Sequence, residues 1–310
     1  LKSPIRYSIC IPNLNMANTI ERAIRSVLDQ LDDSFEVIVV DDGSRDQSVS
    51  ILRRLEKEYP NLSVFELERD KDRTLAQTRN ISISYARGEY LILHIDCDDY
   101  WHPYIKDFVL VYHQIEKVKG PNFLLSGQQI NMGNAQFLRS HGPYQNGHMV
   151  EDRDMWYRLA KIGAYIPLDH VVFRERMELD RISALRKKML NPVIVLRDEI
   201  RGGVKLKSLL GDIVFGNNGQ NSKYRMYKCC MIPIAVIAAK AKGKLPQLDS
   251  DSEWPGLKHE AWAKSGTARD LFLKQGKSFD ESELSEIGKF IFANTSKDSL
   301  LKASSERSER

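Results

Sequence analysis

Cysteine is scarce in this chain of 310 residues: there are four, Cys10, Cys97, Cys229 and Cys230. They form no zinc-ligand spacing and no disulfide framework. That excludes a zinc module and a disulfide-stapled scaffold, and makes a reducing cytoplasm the expected compartment. Long apolar runs are missing too. No window holds eighteen consecutive apolar residues, so no transmembrane helix is expected. The opening LKSPIRYSICIPNLN has too short an apolar run for a secretory signal. Charge of one sign is not in large excess: 46 Lys and Arg against 42 Asp and Glu leave +4, too mild for a dedicated nucleic-acid binder. No internal repeat is visible. At 42% hydrophobic residues a packed core is affordable and disorder is not expected.

What is there alternates. YSICI (7–11), FEVIVV (35–40), LSVFEL (62–67) and EYLILHI (89–95) read as strands. Between them, 15–30 carries an apolar helical stripe at Ile20, Ala23, Ile24, Val27 and Leu28, with Asn15 or Asn18 as its expected cap. Helices are also expected at about 46–58 and 74–86. The order implies an α/β fold, a mainly parallel, doubly wound sheet covered on both faces.

Ligands bind such sheets beyond the carboxyl ends of the strands. Pro12, Asn13 and Asn15 end the first strand, Asp41 and Asp42 the second, and Asp96, Asp98 and Asp99 the fourth. Solvated turns would explain either acid cluster alone. Two clusters on one rim point further, because packed like charges raise each other's pKa unless a cation relieves them. Every candidate ligand is a hard oxygen, so Mn2+ or Mg2+ is expected, held by one or two carboxylates and a substrate phosphate.

The blocks IPNLN (11–15), VVDDGSRDQS (39–48), QTRNISISYARGEYLILHIDCDDYW (77–101) and GHMVEDRDMWYRLAKIG (147–163) follow one another in order. This ordered set resembles the family 2 glycosyltransferases of the GT-A fold over about residues 5–169. The resemblance implies a Rossmann-like GT-A sheet and direct, inverting displacement of a nucleoside diphosphate by an acceptor hydroxyl. UDP, the commonest base in the family, is the expected nucleotide. Pro12 and Asn13 would line the base pocket with Asn15 nearby. Asp41 would contact the base or ribose, with Asp42 and Ser44 shaping that loop. Arg79 would face the nucleotide, Asp96 the ribose, and Asp98, of the Asp-x-Asp motif, the metal. Asp152 would be the catalytic base, with Glu151 beside it. Leu14 stands where the family usually carries an aromatic residue.

Other residues have plainer expected roles. His94 reads as a core residue or a support behind the acids, Asp99 and His102 as the start of a helix, and Cys97 as packing. Arg158 is expected to pair with Glu151 or Asp154, or to touch the acceptor. His148 is a candidate acceptor contact, and Trp101 and Trp156 line the acceptor cleft or sit in the core.

The implied division is 1–169 for the catalytic half, 170–298 for a largely helical region and 299–310 for a polar tail. FRERMELDRISALRKKML (173–190) reads as a basic amphipathic helix. In 223–244 an eleven-residue apolar stretch lies between basic flanks. It suits a helix in the membrane interface, or a core or homodimer helix kinked at Pro233. The expected partners are a nucleotide-diphospho-sugar and a glycan or lipid-linked acceptor. Three rivals stand beside this reading. A degenerate member would bind nucleotide sugar without turnover, although binding alone needs no base. A haloacid-dehalogenase-type phosphatase also uses Asp-x-Asp, but follows it with Gly or Thr/Val rather than Asp99 and Tyr100. A nucleotidyltransferase would need a glycine-rich first loop, and PNLNMANT has no glycine.

Overall fold

The computed structural model describes residues 4–142, 144–145, 151–177, 181–201, 205–215, 222–243 and 265–300. Strand β1 (Tyr7–Asn13), helix α1 (Ile20–Leu28), strand β2 (Phe35–Asp41), helix α2 (Ser48–Glu58), strand β3 (Leu62–Glu66), helix α3 (Leu75–Tyr85) and strand β4 (Tyr90–Leu93) realise the expected alternation. After them come β5 (Asp99–Trp101), α4 (Ile105–Lys119), β6 (Leu124–Ser126), β7 (Asn131–Asn134), α5 (Ala135–His141), α6 (Glu151–Lys161), β8 (Tyr165–Pro167) and β9 (Arg174–Arg176). The carboxy-terminal part holds α7 (Arg181–Arg201), α8 (Leu206–Phe215), α9 (Ser222–Lys242), α10 (Ala268–Leu273) and α11 (Glu286–Ala293).

Seven strands form one sheet in the order β3-β2-β1-β4-β7-β6-β8. β1 runs parallel to both β2 and β4, while β7 is antiparallel to β4 and β6. All seven residues of β1 and of β2 are buried, as their near-continuous apolar runs demand when both faces are covered. Alternate residues feed two cores. Ile9, Ile11, Val37 and Val39 point to the face that α1, α2 and α4 cover, and Cys10, Ile38 and Val40 to the face under α3, α5 and α6. The chain steps outward through β2 and β3, then returns to lay β4 on the other flank of β1. The strand order therefore reverses between β1 and β4, and a crevice opens at their carboxyl ends.

Local rules were overruled in three places. Helix α1 starts at Ile20 behind Thr19, which makes no side-chain cap. Neither Asn15 nor Asn18 caps it, because Asn15 adopts a left-handed backbone (φ 53°) and serves a different loop. Asp99 does not cap α4; it sits fully buried in β5, the strand before that helix. The stretch expected as one helix from 173 opens instead with β9, which pairs antiparallel with β5, Asp99 opposite Arg176. The helix begins at Arg181.

The carboxy-terminal region packs in two ways. α7, α8 and α9 share a small core of Leu196, Leu209, Ile213, Ile232 and Ala235. Both long helices run continuously through a proline, Pro192 in α7 and Pro233 in α9. Residues 267–293 instead return to the first core through Ala268, Phe272, Leu284, Ile291 and Phe292. A carboxylate ties them there: Asp107 of α4 accepts from the Ser285 backbone N–H and hydroxyl, both at 2.8 Å. Ser285 in turn caps α11. The fit leaves no room at Gly288, where an added Cβ would lie 2.6 Å from Asp107 Cγ. Since Asp107 is pinned by Ser285, it cannot simply swing aside. Gly288→Val is expected to cost about 1–3 kcal/mol, read as a fall of several degrees in Tm with the donor site unchanged.

Candidate active site

The crevice between β1 and β4 is a cavity of about 690 Å3. Pro12, Asn13 and Leu14 from the end of β1, Asp42 after β2, Arg69 and Arg73 after β3, and His94, Asp96 and Asp98 after β4 line it. Arg79 of α3, Glu151 and Asp152 of α6, Arg176 of β9 and Asn191 of α7 complete the wall. Eight elements separated by up to 179 positions thus meet where the topology places a ligand.

The β2 end is built around Asp41, which is fully buried and stands behind the cavity wall. Asn13, its register partner on β1, donates to Asp41 Oδ2 at 2.6 Å, and the Ser44 backbone and hydroxyl donate at 2.7 and 2.6 Å. Asn15 extends this loop: its N–H donates to Ser44 Oγ at 2.8 Å, and its Oδ1 accepts from the Arg45 N–H at 2.8 Å. Asp41 and Asn15 therefore set the loop's shape, while Asp42 faces the cavity and binds Arg69 at 2.8 Å and Arg73. The loop after β3 opens on the same rim by the same topological rule, and that was the available signal for Arg69 and Arg73, which the motifs do not include.

At the centre lies Arg79, 5% exposed. Its guanidinium approaches Asp96 Oδ1 at 3.4 Å, Glu151 Oε1 at 3.4 Å and Asp152 Oδ2 at 3.7 Å. Burial alone would lower its pKa, but the surrounding carboxylates, Asp152 foremost, outweigh that and raise it. The Tyr144 ring covers the guanidinium at 5.6 Å. A buried cation shared by three acids lets them sit together without mutual repulsion.

The two acids that open α6 differ in environment. Glu151 is 3% exposed, and burial, helped by the charge of Asp152, raises its carboxyl to about 8 against the pull of Arg79. At neutral pH it holds its proton and cannot accept another. Asp152 is the more open of the two, its side chain 16% exposed, and His94 Nε2 stands 3.3 Å from its Oδ2. His94 itself has φ 68°, in the left-handed region. A non-glycine residue there costs roughly 1–3 kcal/mol and persists where its surroundings fix it. His94 is thus drawn out of the β4 core and aimed at the acid. Its signal in the sequence was a polar ring at the end of a buried strand, immediately before the acids.

Asp96, Asp98 and Asp99 can bring one oxygen each within 4.8 Å of one another. Only Asp96 and Asp98 line the cavity. Arg174 binds Asp99 at 2.7 Å, and Arg176 binds Asp98 at 2.7 Å from a side chain 51% exposed at the rim. Burial raises Asp99 to about 6 although Arg174 and Arg176 pull it down. The donor set is all hard oxygen, which fits a divalent cation such as Mg2+ or Mn2+. Neither arginine was identified from the sequence, because the stretch that carries them reads locally as a helix.

The remaining expectations resolve simply. Cys97 packs, its thiol donating to the Pro12 carbonyl at 3.6 Å, and burial puts its pKa well above the usual range. Trp101 is 1% exposed and packs on Phe173. Trp156 meets the His94 ring edge-on at 5.7 Å. His102 pairs with Glu175 at 3.1 Å, away from the acid cluster. Arg158 binds Asp154 at 2.8 Å. His148 lies outside the described residues.

Residues 8–155 match the family model described as glycosyl transferase family 2. The match covers just under half of the chain, and over it the sequence is similar to that family. An uncharacterized glycosyltransferase of Nostoc is 30% identical over 118 residues, covering 37% of this chain and 35% of its own length. A poly(ribitol-phosphate) beta-glucosyltransferase of Bacillus spizizenii is 38% identical over 98 residues, covering 31% of this chain and 15% of its own. The matched stretch thus spans 35% or less of the length of these curated relatives. The crystal structure of Staphylococcus aureus TarS is 17% identical, with a TM-score of 0.49 over 84% of this chain and 53% of that one. Against the family pattern, the glycosyltransferase motifs supply the walls of the cavity, and the arginines of the β3 loop and of β9 are added by the fold.

The shifted carboxyl of Glu151 gives a pH signature. From 4.5, its ordinary value, to about 8, the folded chain keeps a proton that the unfolded chain has lost. Stability therefore falls as pH rises through that window. Above about 6, where Asp99 has titrated, Glu151 dominates the fall. Glu151→Gln is expected to flatten Tm against pH between pH 6.5 and 9 (roughly the upper part of that window). Parallel Tm curves for the two proteins would mean that Glu151 is ionised throughout.

Proposed function

We propose that this chain is an inverting, metal-dependent glycosyltransferase that moves a sugar from a nucleoside-diphosphate sugar to an acceptor hydroxyl. The observation that carries the reading is the meeting, in one cavity at the switch point, of Asp96 and Asp98 with an Asp152 that Arg79 and His94 hold in place. Residues 1–169 would supply the donor site and the base, and 170–298 the acceptor side, where Asn191 already reaches the cavity.

In this reading Pro12 and Asn13 bound the base pocket, with Asn15 and Asp41 shaping it from behind. Asp96 meets the ribose. Asp98, with Asp96 near it, would hold Mn2+ or Mg2+, whose charge supports the diphosphate as it leaves. Arg79 lies between Asp96 and Asp152 and pairs with both. The acceptor hydroxyl oxygen attacks the anomeric carbon from the face opposite the diphosphate. A new carbon–oxygen bond forms, the bond to the phosphate oxygen breaks, and the hydroxyl proton passes to Asp152. One displacement from the opposite face inverts the anomeric configuration. Glu151, protonated, leaves that task to Asp152. UDP is the nucleotide to expect, as the commonest in the family.

Thermal unfolding with UDP, GDP, CDP and dTDP, each with Mn2+ or with chelator, tests the donor half. A nucleotide at ~100 times its Kd adds roughly 2.7 kcal/mol. One nucleotide is expected to raise Tm in Mn2+ only, and Asp98→Asn to abolish the rise. No shift with any nucleotide would sink the proposal. For the base, Asp152→Asn is expected to lower kcat by about 10²–10⁴ while the Mn2+-dependent nucleotide shift survives. Unchanged turnover in that variant would reassign the base.

A further inference from the structure

Helix α9 buries Ile232, Ala235 and Ala239. Its opposite face carries aliphatic side chains that no described residue covers. Met226 is 68% exposed, Ile234 51% and Ile237 71%. With exposed Cys230 between them, they run down one side of the helix at spacings of three and four. On α8, Leu206, Leu210 and Val214 repeat the pattern at a spacing of four, each at least 40% exposed. A single exposed aliphatic residue needs no explanation. Two neighbouring helices that each turn an aliphatic stripe to solvent do need one.

Charge says what kind of partner covers these stripes. Residues 181–242 contain thirteen Lys and Arg against three Asp and Glu, a balance of +10. The whole chain is only +4, so everything else sums to −6. Lys223 and Arg225 stand at one end of the α9 stripe, Lys240 and Lys242 at the other, and Lys205 and Lys207 at the head of α8. A second copy packed face to face would bring the same positive charge against this face and be repelled. No helix among the described residues is long and apolar enough to cross a membrane, but an aliphatic stripe between cations suits a helix lying on one.

We propose that the α7–α9 unit is a docking face for an anionic lipid surface. The aliphatic stripes enter the headgroup boundary, and the flanking cations meet the lipid phosphates. The face starts at the cavity: Asn191 lines it, and the adjoining Met189 and Leu190 are 53% and 44% exposed. Lipid docking here leaves the donor site unobstructed and brings its rim to the membrane. The inference stands apart from the reaction proposed above and does not need it.

The test is co-sedimentation of the full chain with phosphatidylcholine vesicles, with and without phosphatidylglycerol, at low and high salt. Binding is expected only with the anionic lipid, and is expected to weaken as salt screens the contact. Ile234→Glu with Ile237→Glu is expected to reduce binding roughly tenfold or more. Lys240→Glu with Lys242→Glu tests the charge alone and is expected to act in the same direction. Leu273→Glu, at a 75% exposed site on α10, is the control and is expected to bind as wild type. Tm of every variant checks folding. Wild type that stays in the supernatant with anionic vesicles overturns the proposal, and so does equal binding to neutral ones. Light scattering that shows a dimer, converted to monomer by Ile234→Glu with Ile237→Glu, in a chain that ignores vesicles, would assign the face to a second copy and overturn it too.

Discussion

A single buried guanidinium holds the rim together. Three carboxylates from two distant parts of the chain, Asp96 after β4 and Glu151 and Asp152 at the head of α6, converge on Arg79. Without a cation between them, desolvation and repulsion would push α6 away from the strand ends. With it, the head of α6 can be an acidic wall in a buried place. The same logic recurs along the cavity: Arg69 and Arg73 on Asp42, Arg176 on Asp98 and Arg174 on Asp99. The cavity is thus a set of acids each answered by an arginine from another element, and the sheet's switch point is where those elements meet.

The pairing also sorts the acids by task. Full burial keeps Glu151 protonated and takes Asp41 out of the wall to serve as the hub of its loop. Asp152 is the more open acid and is faced by His94, the position that the proposed reaction gives to the base. These distinctions come from accessibility and neighbours, not from residue type, since the eight aspartates in these motifs differ only in where the fold puts them.

That is also why the sequence was legible in some places and opaque in others. The strands showed because burial on both faces requires nearly unbroken apolar runs, and FEVIVV and EYLILHI are such runs. The rim showed because acids that follow those runs must lie at carboxyl ends. By contrast, β9 exists only because β5, some seventy residues earlier, offers it an edge, and no local periodicity in FRERM records that. Asn15 was expected to cap a helix. Its amide oxygen is taken by the Arg45 N–H thirty residues away, a demand invisible to its neighbours in sequence. The return of 267–293 to the first core depends on Asp107, again a partner far along the chain. What local pattern fixed could be read; what a long-range partner decided could not.

His94 answers two requirements at once. Its backbone has a positive φ that glycine or asparagine would adopt with less strain, and its ring faces Asp152. Glycine would relax the backbone and remove the imidazole. Any bulkier ring would keep the strain and lose the nitrogen at 3.3 Å. The two demands pull toward different residues, so no single substitution improves one without forfeiting the other. Every substitution there therefore gives up either backbone ease or the imidazole facing the acid.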